Sequence, residues 1–514
     1  MKLRGVPFFL ALVLLGQMAA RASSLDIVGV TLLREVTTNL NGAGIRVAQP
    51  EASSLFPPDF EINPDAVGQP TNLFTYYSMW GTATNYPNSV GTNSSHADSV
   101  AANFYGRSGG VATNVAHVDN YDADYFYDFV VTTTSPENTN DSVVNQSFTW
   151  GTLNKIVDAN YDNYAALYNT LFVSAADNGG GVHTPATCYN GIGVGAYGGS
   201  SSIGPTEDNG RSKPDITAPA SYTSFSSPYV AGAAAVLLQA GLRGDGGSDT
   251  NSIADIRTMK ALLLNGAVKP ANWTNGAASP LDARYGAGVL NIFNSYKQLT
   301  GGKHGYIVST SVITNSPHPP TTDTGTVSVL SGWDFNTNTS STTSDGVNHY
   351  YFDVTNGVSN AAFTATATLV WNRQLNETNI NNLDLFLYNA ANSNLVAVCT
   401  SAVDNVQHLF VPELPQGRYD LQVLKKGGSY VSSNETYALA FEFFSMPLNV
   451  ASSGTNTMLA WPIYPDGFVV KTTTNLVSPI IWNTLNATPA VTNNQNQVTL
   501  DTTNASRFFR LQRP

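Results

Sequence analysis

Cysteine is nearly missing from this chain of 514 residues, which has only Cys188 and Cys399. A chain so poor in cysteine is not a disulfide scaffold and must draw its stability from hydrophobic cores. The two residues lie far apart in sequence, so a bridge between them and a pair of buried free thiols both stand as alternatives. A chain of this length is expected to form about three domains.

Charge is also scarce, at 12% of residues, and 24 Lys and Arg face 36 Asp and Glu. The net charge of -12 and the pI near 4.9 would repel nucleic acid and anionic membranes, so we expect neither as a partner. With so few charges the polar surface comes largely from Asn, Thr, Ser and Gly, which favours a β-rich protein.

We expect no run of this sequence to span a membrane, although an apolar run stands near the N-terminus. Lys2 and Arg4 precede an apolar run from Val6 to Leu15, and small residues follow at Ala20 and Ala22. This run is shorter than the roughly 20 residues that cross a bilayer, and the pattern is typical of a secretory signal peptide. We predict a signal peptide over residues 1–22 and a secreted protein, extracellular, at the cell surface or periplasmic, that does not span a membrane. The oligomeric state is left open.

The sequence pattern of the remaining chain changes twice, which predicts three regions. Residues 23–300 alternate strand-like runs such as TLFVSAAD with helical runs such as SHADSVAANFYG, which predicts an α/β domain with a parallel sheet flanked by helices. Residues 301–446 lose the helical period and read as an antiparallel β-sandwich. Residues 447–514 repeat that character as a small C-terminal β module.

A stretch rich in hydroxyl groups, SYTSFSSPYVAG at residues 221–232, precedes an apolar, Ala-rich run. Because proline suits the first turn of a helix, we predict that a helix begins at Pro228, with Ser224 one turn before it. A hydroxyl there lies beside free backbone N–H groups and the positive end of the helix dipole, a setting that stabilises an oxyanion. The same hydroxyls also suit ordinary helix N-caps, so this stretch alone leaves both roles open.

The run GPTEDNGRSKPDITAPA stands directly before it, at residues 204–220. Together the two runs resemble the nucleophile region of the subtilisin-like serine proteases, and the resemblance extends over about residues 25–299. It implies a subtilisin-like fold and a serine endopeptidase that acts on protein or peptide substrates. The resemblance also implies that Ser224 is the nucleophile.

A serine nucleophile needs a base and a group that orients the base. NSSHADSVAANFYG resembles the histidine helix of the family and implies that His96 is the base. Glu51 ends the first core strand, where the family carries aspartate, and Asp59 is the reserve candidate. TLFVSAADNGGG resembles the segment that ends in the oxyanion asparagine, which implies that Asn178 acts with the Ser224 N–H. The chain order acid, histidine, serine is that of subtilisin.

Other sites are implied less directly. VVNQSFTWG resembles the strand that lines the specificity pocket, with Ser147, Phe148 and Gly151 as wall residues. We interpret the remaining two histidines of this region, His117 and His183, as structural.

The family resemblance implies no required cofactor. In the predicted sandwich the cluster Asn381, Asn382 and Asp384 offers hard oxygen ligands that suit a structural Ca²⁺. The same residues suit a turn before a strand, and both alternatives stand.

Several departures from the family pattern leave a second function open. Tyr222 stands where the family has glycine, Asp177 stands beside Asn178, and the link between Pro219 and Ser224 is short. Ala97, Asp98 and Ser99 also replace the residues that usually follow the histidine. The alternative is a weakened or inactive scaffold that acts as a secreted binding or surface protein through its β modules.

Overall fold

The computed structural model describes most of the chain beyond the N-terminus. The described residues are 23–133, 135–312, 318–320, 322–356, 362–428, 431–453, 456–492, 495–501 and 507–512. The predicted signal peptide, residues 1–22, lies outside them.

One large sheet organises the first half of the chain. The strands, in chain order, are β1 (Arg46–Glu51), β2 (Asp59–Glu61), β3 (Phe74–Ser78), β4 (Gly81–Ala83), β5 (Thr92–Asn93), β6 (His117–Asp122), β7 (Val143–Gln146), β8 (Leu171–Ala175), β9 (Ile192–Tyr197) and β10 (Ile216–Pro219). Eight of them form the sheet β10-β9-β8-β7-β1-β6-β3-β4, parallel except for the β3–β4 pair. β2 and β5 pair with each other.

Helices cover the large sheet. They are α1 (Ser24–Ile27), α2 (Val30–Val36), α3 (Pro64–Val67), α4 (Ser95–Phe104), α5 (Ala123–Tyr125), α6 (Lys155–Tyr168), α7 (Thr223–Leu242), α8 (Thr250–Ile253), α9 (Ile256–Asn265) and α10 (Ile292–Thr300). Side-chain caps begin α4 and α6: Ser94 accepts a hydrogen bond from the Ala97 N–H at α4, and Asn154 accepts from the Ile156 and Val157 N–H groups at α6. The predicted α/β class is confirmed.

The central helix α7 begins earlier than predicted. It starts at Thr223, so Ser224 lies in its first turn, and Pro228 lies inside the helix. The prediction that the helix begins at Pro228 is therefore wrong. The helix is long and apolar enough to cross a membrane by length and composition, but 83% of it is buried inside the protein, as expected of a core helix.

The carboxyl ends of the parallel strands meet at one edge of the sheet. Glu51 ends β1 there, and in the β1–β6 ladder it stands opposite Asp122. Pro50 has no N–H to give to a ladder. β1 pairs with β7 only at Val47 and Ala48, so Pro50 lies beyond the point where that ladder has ended.

The second half of the described chain is antiparallel. Its strands are β11 (Val308–Val312), β12 (Ser331–Thr339), β13 (Asp345–Val354), β14 (Phe363–Trp371), β15 (Leu383–Asn389), β16 (Leu395–Cys399), β17 (Val406–Leu414), β18 (Gly417–Lys425) and β19 (Asn434–Phe444). They form the sheets β11-β13-β18-β15-β16 and β12-β19-β14-β17. Buried side chains such as Tyr350, Trp371 and Phe441 make the core of this sandwich.

Seven further strands follow: β20 (Asn449–Ser453), β21 (Asn456–Pro462), β22 (Val469–Thr473), β23 (Asn483–Thr484), β24 (Ala490–Thr492), β25 (Gln495–Asp501) and β26 (Phe508–Gln512). They form two small sheets with their own cluster of apolar residues around Leu459 and Trp461. β26 is an edge strand paired with β22. The domain boundaries at 300/301 and 446/447 stay predictions.

The sandwich docks on the helices of the first half through buried polar contacts. At the end of α9 the Asn265 side-chain oxygen accepts hydrogen bonds from Thr366 and Thr368 of β14, both at 3.0 Å. Arg373 makes an ion pair of 2.7 Å with Asp162 of α6, and both side chains are buried. Cys188 and Cys399 are both buried free thiols.

Candidate active site

A buried carboxylate and a partly exposed imidazole meet at the carboxyl edge of the large sheet. Glu51 Oε2 lies 2.8 Å from His96 Nδ1. The Glu51 side chain is 2% exposed and the His96 side chain 42%. Because the carboxylate can only accept, Nδ1 carries the proton in this bond. Nε2 is then the nitrogen free to accept a proton.

A glutamine on the same face of β1 fixes the other oxygen of Glu51. Gln49 and Glu51 are two residues apart, so their side chains point to the same side of the strand. Gln49 Nε2 donates to Glu51 Oε1 at 2.8 Å and to the Ala97 carbonyl at 3.1 Å. The Tyr105 hydroxyl donates to Gln49 Oε1 at 2.6 Å. This network sets the longer side chain of glutamate in one place.

The reserve candidate, Asp59, is engaged elsewhere. Its carboxylate accepts a hydrogen bond from the Ser53 hydroxyl. Among the two candidates for the acid position, Glu51 is the one that bonds to His96.

The Glu51 carboxylate raises the pKa of His96. The hydrogen bond and the negative charge of Glu51 both favour the imidazolium, and they outweigh burial, which disfavours it. A histidine held in this way is a stronger base than a free one.

The first turn of α7, which carries the nucleophile candidate, packs near the imidazole through Phe225. α4, which carries His96, packs on α7. The ring centroids of His96 and Phe225 are 5.7 Å apart, and Phe225 follows Ser224 in the chain. The Ser224 hydroxyl itself donates to the Ser147 carbonyl at 3.2 Å.

Ser147 completes the first turn of α7. A residue at position 228 would normally donate its N–H to the carbonyl of residue 224, but proline has none. The Ser147 hydroxyl donates to the Ser224 carbonyl instead, at 2.8 Å. This contact explains how α7 continues through Pro228. Ser147 is 3% exposed. Its hydroxyl supports the turn that contains Ser224 through this hydrogen bond.

Two donors remain beside Ser224. Asn178 is exposed, and its Oδ1 accepts from the Thr223 N–H at 2.8 Å and the Thr223 hydroxyl at 3.0 Å. This fixes the orientation of the amide, so its NH₂ group is the end left to donate. The Ser224 N–H lies in the first turn of α7, where no intrahelical acceptor exists.

The remaining wall candidates follow β7 in a loop. Phe148 is partly buried and its ring lies 5.5 Å from that of Trp150. Gly151 is exposed and has a φ of +68°, which glycine adopts without strain. Tyr222, which precedes α7, has φ -140° and ψ 155°. This is ordinary extended backbone, so the substitution of the family glycine strains nothing here.

The two histidines interpreted as structural differ in place. His117 begins β6, at the opposite edge of the sheet, and contacts Thr75 at 3.0 Å. His183 Nδ1 lies 2.7 Å from Asp177 Oδ2, and Asp177 directly precedes Asn178.

Two of the three predicted calcium ligands have polar partners. Lys426 places its ammonium 3.2 Å from the buried Asp384 carboxylate. Asn381 uses its oxygen on the Val431 and Ser432 N–H groups. The structural Ca²⁺ stays a prediction. Within the described ranges no group of three or more His, Cys, Asp or Glu side chains is arranged to hold a metal ion.

Residues 72–288 match the model of the subtilase family, peptidase S8. We call this part of the chain the subtilase domain because of that similarity. The match covers His96, Asn178 and Ser224, and begins after Glu51. It confirms the predicted family and supports a serine protease that acts on peptides or proteins. A comparison with curated proteins found no match.

Solved structures resemble the subtilase domain at low similarity. A protease from Pseudoalteromonas arctica is 19% identical, covering 50% of this chain and 91% of its own, with a TM-score of 0.37. The PatG macrocyclase in complex with a peptide is 16% identical, covering 55% and 99%, with a TM-score of 0.37. The Aeromonas sobria serine protease, solved with its chaperone, is 13% identical, covering 82% and 83%, with a TM-score of 0.32. Such similarity says nothing about what this chain cleaves.

Three features of the candidate site were not predicted from the sequence. Gln49 was a detectable one, because it shares the face of a short strand with Glu51. Thr223 as the anchor of Asn178, and the pairing of His183 with Asp177, join residues that are far apart or separated by glycines. No sequence signal predicts those contacts.

Proposed function

We propose that this protein is a secreted serine endopeptidase of the subtilisin type. Ser224 is the nucleophile, His96 the base, and Glu51 the acid that orients His96. Asn178 and the Ser224 N–H hold the oxyanion. The observation that carries the proposal is the 2.8 Å bond from His96 to the buried Glu51, at the sheet edge where the first turn of α7 packs against the imidazole.

The reaction is an acyl transfer. Nε2 of His96 takes the proton of the Ser224 hydroxyl, and the oxygen attacks the carbonyl carbon of a peptide bond. The Asn178 amide and the Ser224 N–H donate to the oxyanion. The imidazolium, stabilised by Glu51, then protonates the leaving amine, and water releases the acyl group by the reverse steps.

One rotation must precede the attack. The Ser224 hydroxyl donates to the Ser147 carbonyl, so it must turn about its Cα–Cβ bond to donate to His96. Hydrogen bonds of this kind are often unformed before substrate binds.

A fluorophosphonate probe tests the proposal directly, because it reacts with an activated serine. We expect the wild type to be labelled, and Ser224→Ala to lose the label while keeping its folded circular dichroism spectrum. Ser226→Ala is a matched control, because Ser226 lies two residues on in the same helix and is fully buried; we expect it to be labelled. Folded wild type without label would contradict the proposal.

The second candidate function is a non-catalytic scaffold whose β modules bind a partner. The observation that favours it is the Ser224 hydroxyl bonded to Ser147. Hydrolysis of casein by the wild type, lost in Ser224→Ala, would exclude it.

Secretion is a separate part of the proposal, supported by the sequence of residues 1–22. Mass spectrometry of the protein recovered from the culture medium or periplasm should find Ser23 at its N-terminus. Retention of Met1 in the exported protein would contradict this part.

A further inference from the structure

Asp177, the residue before Asn178, has a backbone conformation that aspartate rarely adopts. Its φ is +86°, in the left-handed region that favours glycine. A side chain held there persists only when its surroundings fix it. The other non-glycine residues with positive φ among those described are Asn39, Asn140, Asn169, Asn376 and Ser393.

The surroundings of Asp177 hold it by both carboxylate oxygens. Oδ1 accepts from the Asn178 N–H at 2.6 Å. Oδ2 accepts from His183 Nδ1 at 2.7 Å and from the Thr149 hydroxyl at 3.3 Å. The Asp177 carbonyl also accepts from the Ser202 N–H at 2.8 Å. The side chain therefore ties Thr149 and His183 to the peptide that carries Asn178, and the backbone adds Ser202.

Asn178 needs such support because of where it lies. It is exposed and opens the run of glycines 179–181, whose backbone has wide conformational freedom. Its side chain contacts α7 through its oxygen, on Thr223. A donor that stabilises an oxyanion must be fixed before the reaction, since reorganisation in the transition state costs rate.

We propose that Asp177 and His183 are positioning residues that hold Asn178 in the geometry of an oxyanion donor. The inference rests on the proposed function and goes further, because it gives a role to a carboxylate that would otherwise oppose negative charge beside the site. Both Asp177 oxygens are occupied by donors. The carboxylate is thus directed to Asn178 N–H, His183 and Thr149.

Three substitutions at Asp177 separate the effect of its side-chain contacts from the effect of its backbone conformation. Asp177→Gly tolerates the positive φ and removes the side-chain contacts. Asp177→Ala removes the contacts and also disfavours the positive φ. Asp177→Asn keeps an acceptor for the Asn178 N–H. We expect Asp177→Gly to lower kcat about 10-fold, since a small misplacement of a reacting group has effects of up to about 10²-fold. KM should stay within about twofold, because the loss is in the transition state. Asp177→Asn should retain most of the wild-type kcat.

The decisive measurement repeats the change in Asn178→Ala. If Asp177 and His183 act through the Asn178 amide, then Asp177→Gly and His183→Ala should have no further effect on kcat once that amide is gone. His318→Gln is the matched control, since His318 pairs with Asp345 in the sandwich at 3.4 Å; its kcat should equal that of the wild type.

The outcomes separate this inference from the proposed function. A wild type without turnover overturns both. An active wild type whose kcat is unchanged in Asp177→Gly, or falls equally with and without the Asn178 amide, overturns only the positioning role. A melting temperature that falls while kcat stays constant would mark Asp177 as purely structural and overturn it as well.

Discussion

Two carboxylate–imidazole pairs flank Ser224, and they are built in opposite ways. In the first, Glu51 is 2% exposed and His96 42%. In the second, Asp177 is 29% exposed and His183 17%. The bond lengths, 2.8 and 2.7 Å, hardly differ. The two pairs therefore differ in which partner is the more exposed, the imidazole in the first and the carboxylate in the second.

A buried acid with an exposed imidazole suits proton transfer, because the acid fixes the ring while Nε2 stays within reach of a substrate. The second pair has a more exposed acid that bonds to the Asn178 N–H, and this arrangement suits holding the backbone. We therefore expect the two similar pairs to have different roles because their burial is reversed.

The largest test removes each imidazole in turn. His96→Ala should lower kcat/KM by about 10⁴-fold or more, as loss of a triad member does, whereas His183→Ala should lower it only about 10-fold. Steady-state hydrolysis of a chromogenic peptide measures both. Equal losses would show that the two pairs are not different in kind.

A smaller effect is expected from neutralising the acid. Glu51→Gln should lower kcat by about 10³ to 10⁴-fold, since the amide can hold the wrong tautomer of His96. It also removes the cause of the raised His96 pKa. In the wild type the base form predominates only above that raised pKa, so the acidic limb of kcat/KM should move to lower pH in the variant. A limb that stays in place would remove His96 or Glu51 from these roles.

Shortening the acid sharpens the comparison further. Glu51→Asp withdraws the carboxylate by about one C–C bond, 1.5 Å, from both His96 and Gln49. We expect kcat to fall about 10-fold, as a misplaced positioning group predicts. Activity above that of the wild type would mean that the network around Gln49 does not hold the acid in place.

The last and smallest effect is expected at Ser147, and it is measured as a change in the free energy of unfolding. Ser147→Ala leaves the Ser224 carbonyl without its donor, which should cost about 1–3 kcal/mol of unfolding free energy. Ser99→Ala is the control, because its hydroxyl is exposed on α4 and donates to Ser95 within the helix; its effect should be within about 0.5 kcal/mol. Urea unfolding measures both, and equal values would contradict the role given to Ser147.

The family resemblance, carried by short sequence runs, was enough to predict the candidate residues of this site. The helix that carries His96 also has a local signal, because Ser94 caps it. The start of α7 was predicted wrongly because the helix passes through Pro228, and what permits this is a hydroxyl 77 residues away in the chain. Such a contact exists only in the folded chain.

The same reason limits what could be inferred about substitutions. Tyr222 suggested strain because glycine is usual there, but the backbone is extended and tolerates any residue. The charge of Asp177 suggested only repulsion of an oxyanion, because two of the groups that donate to its carboxylate, Thr149 and His183, lie elsewhere in the chain. Residue types indicate which chemistry is available, whereas burial and hydrogen-bond partners decide which role a side chain has.

The contacts of Asn265 with Thr366 and Thr368, and of Arg373 with Asp162, have a consequence for a chain exposed to proteases. A single cut in the connection at residues 301–307 would leave every one of these contacts intact. The two fragments should then migrate as one particle in size-exclusion chromatography and separate only in denaturant. Nicking at this junction would therefore be visible on a denaturing gel well before any loss of the folded assembly.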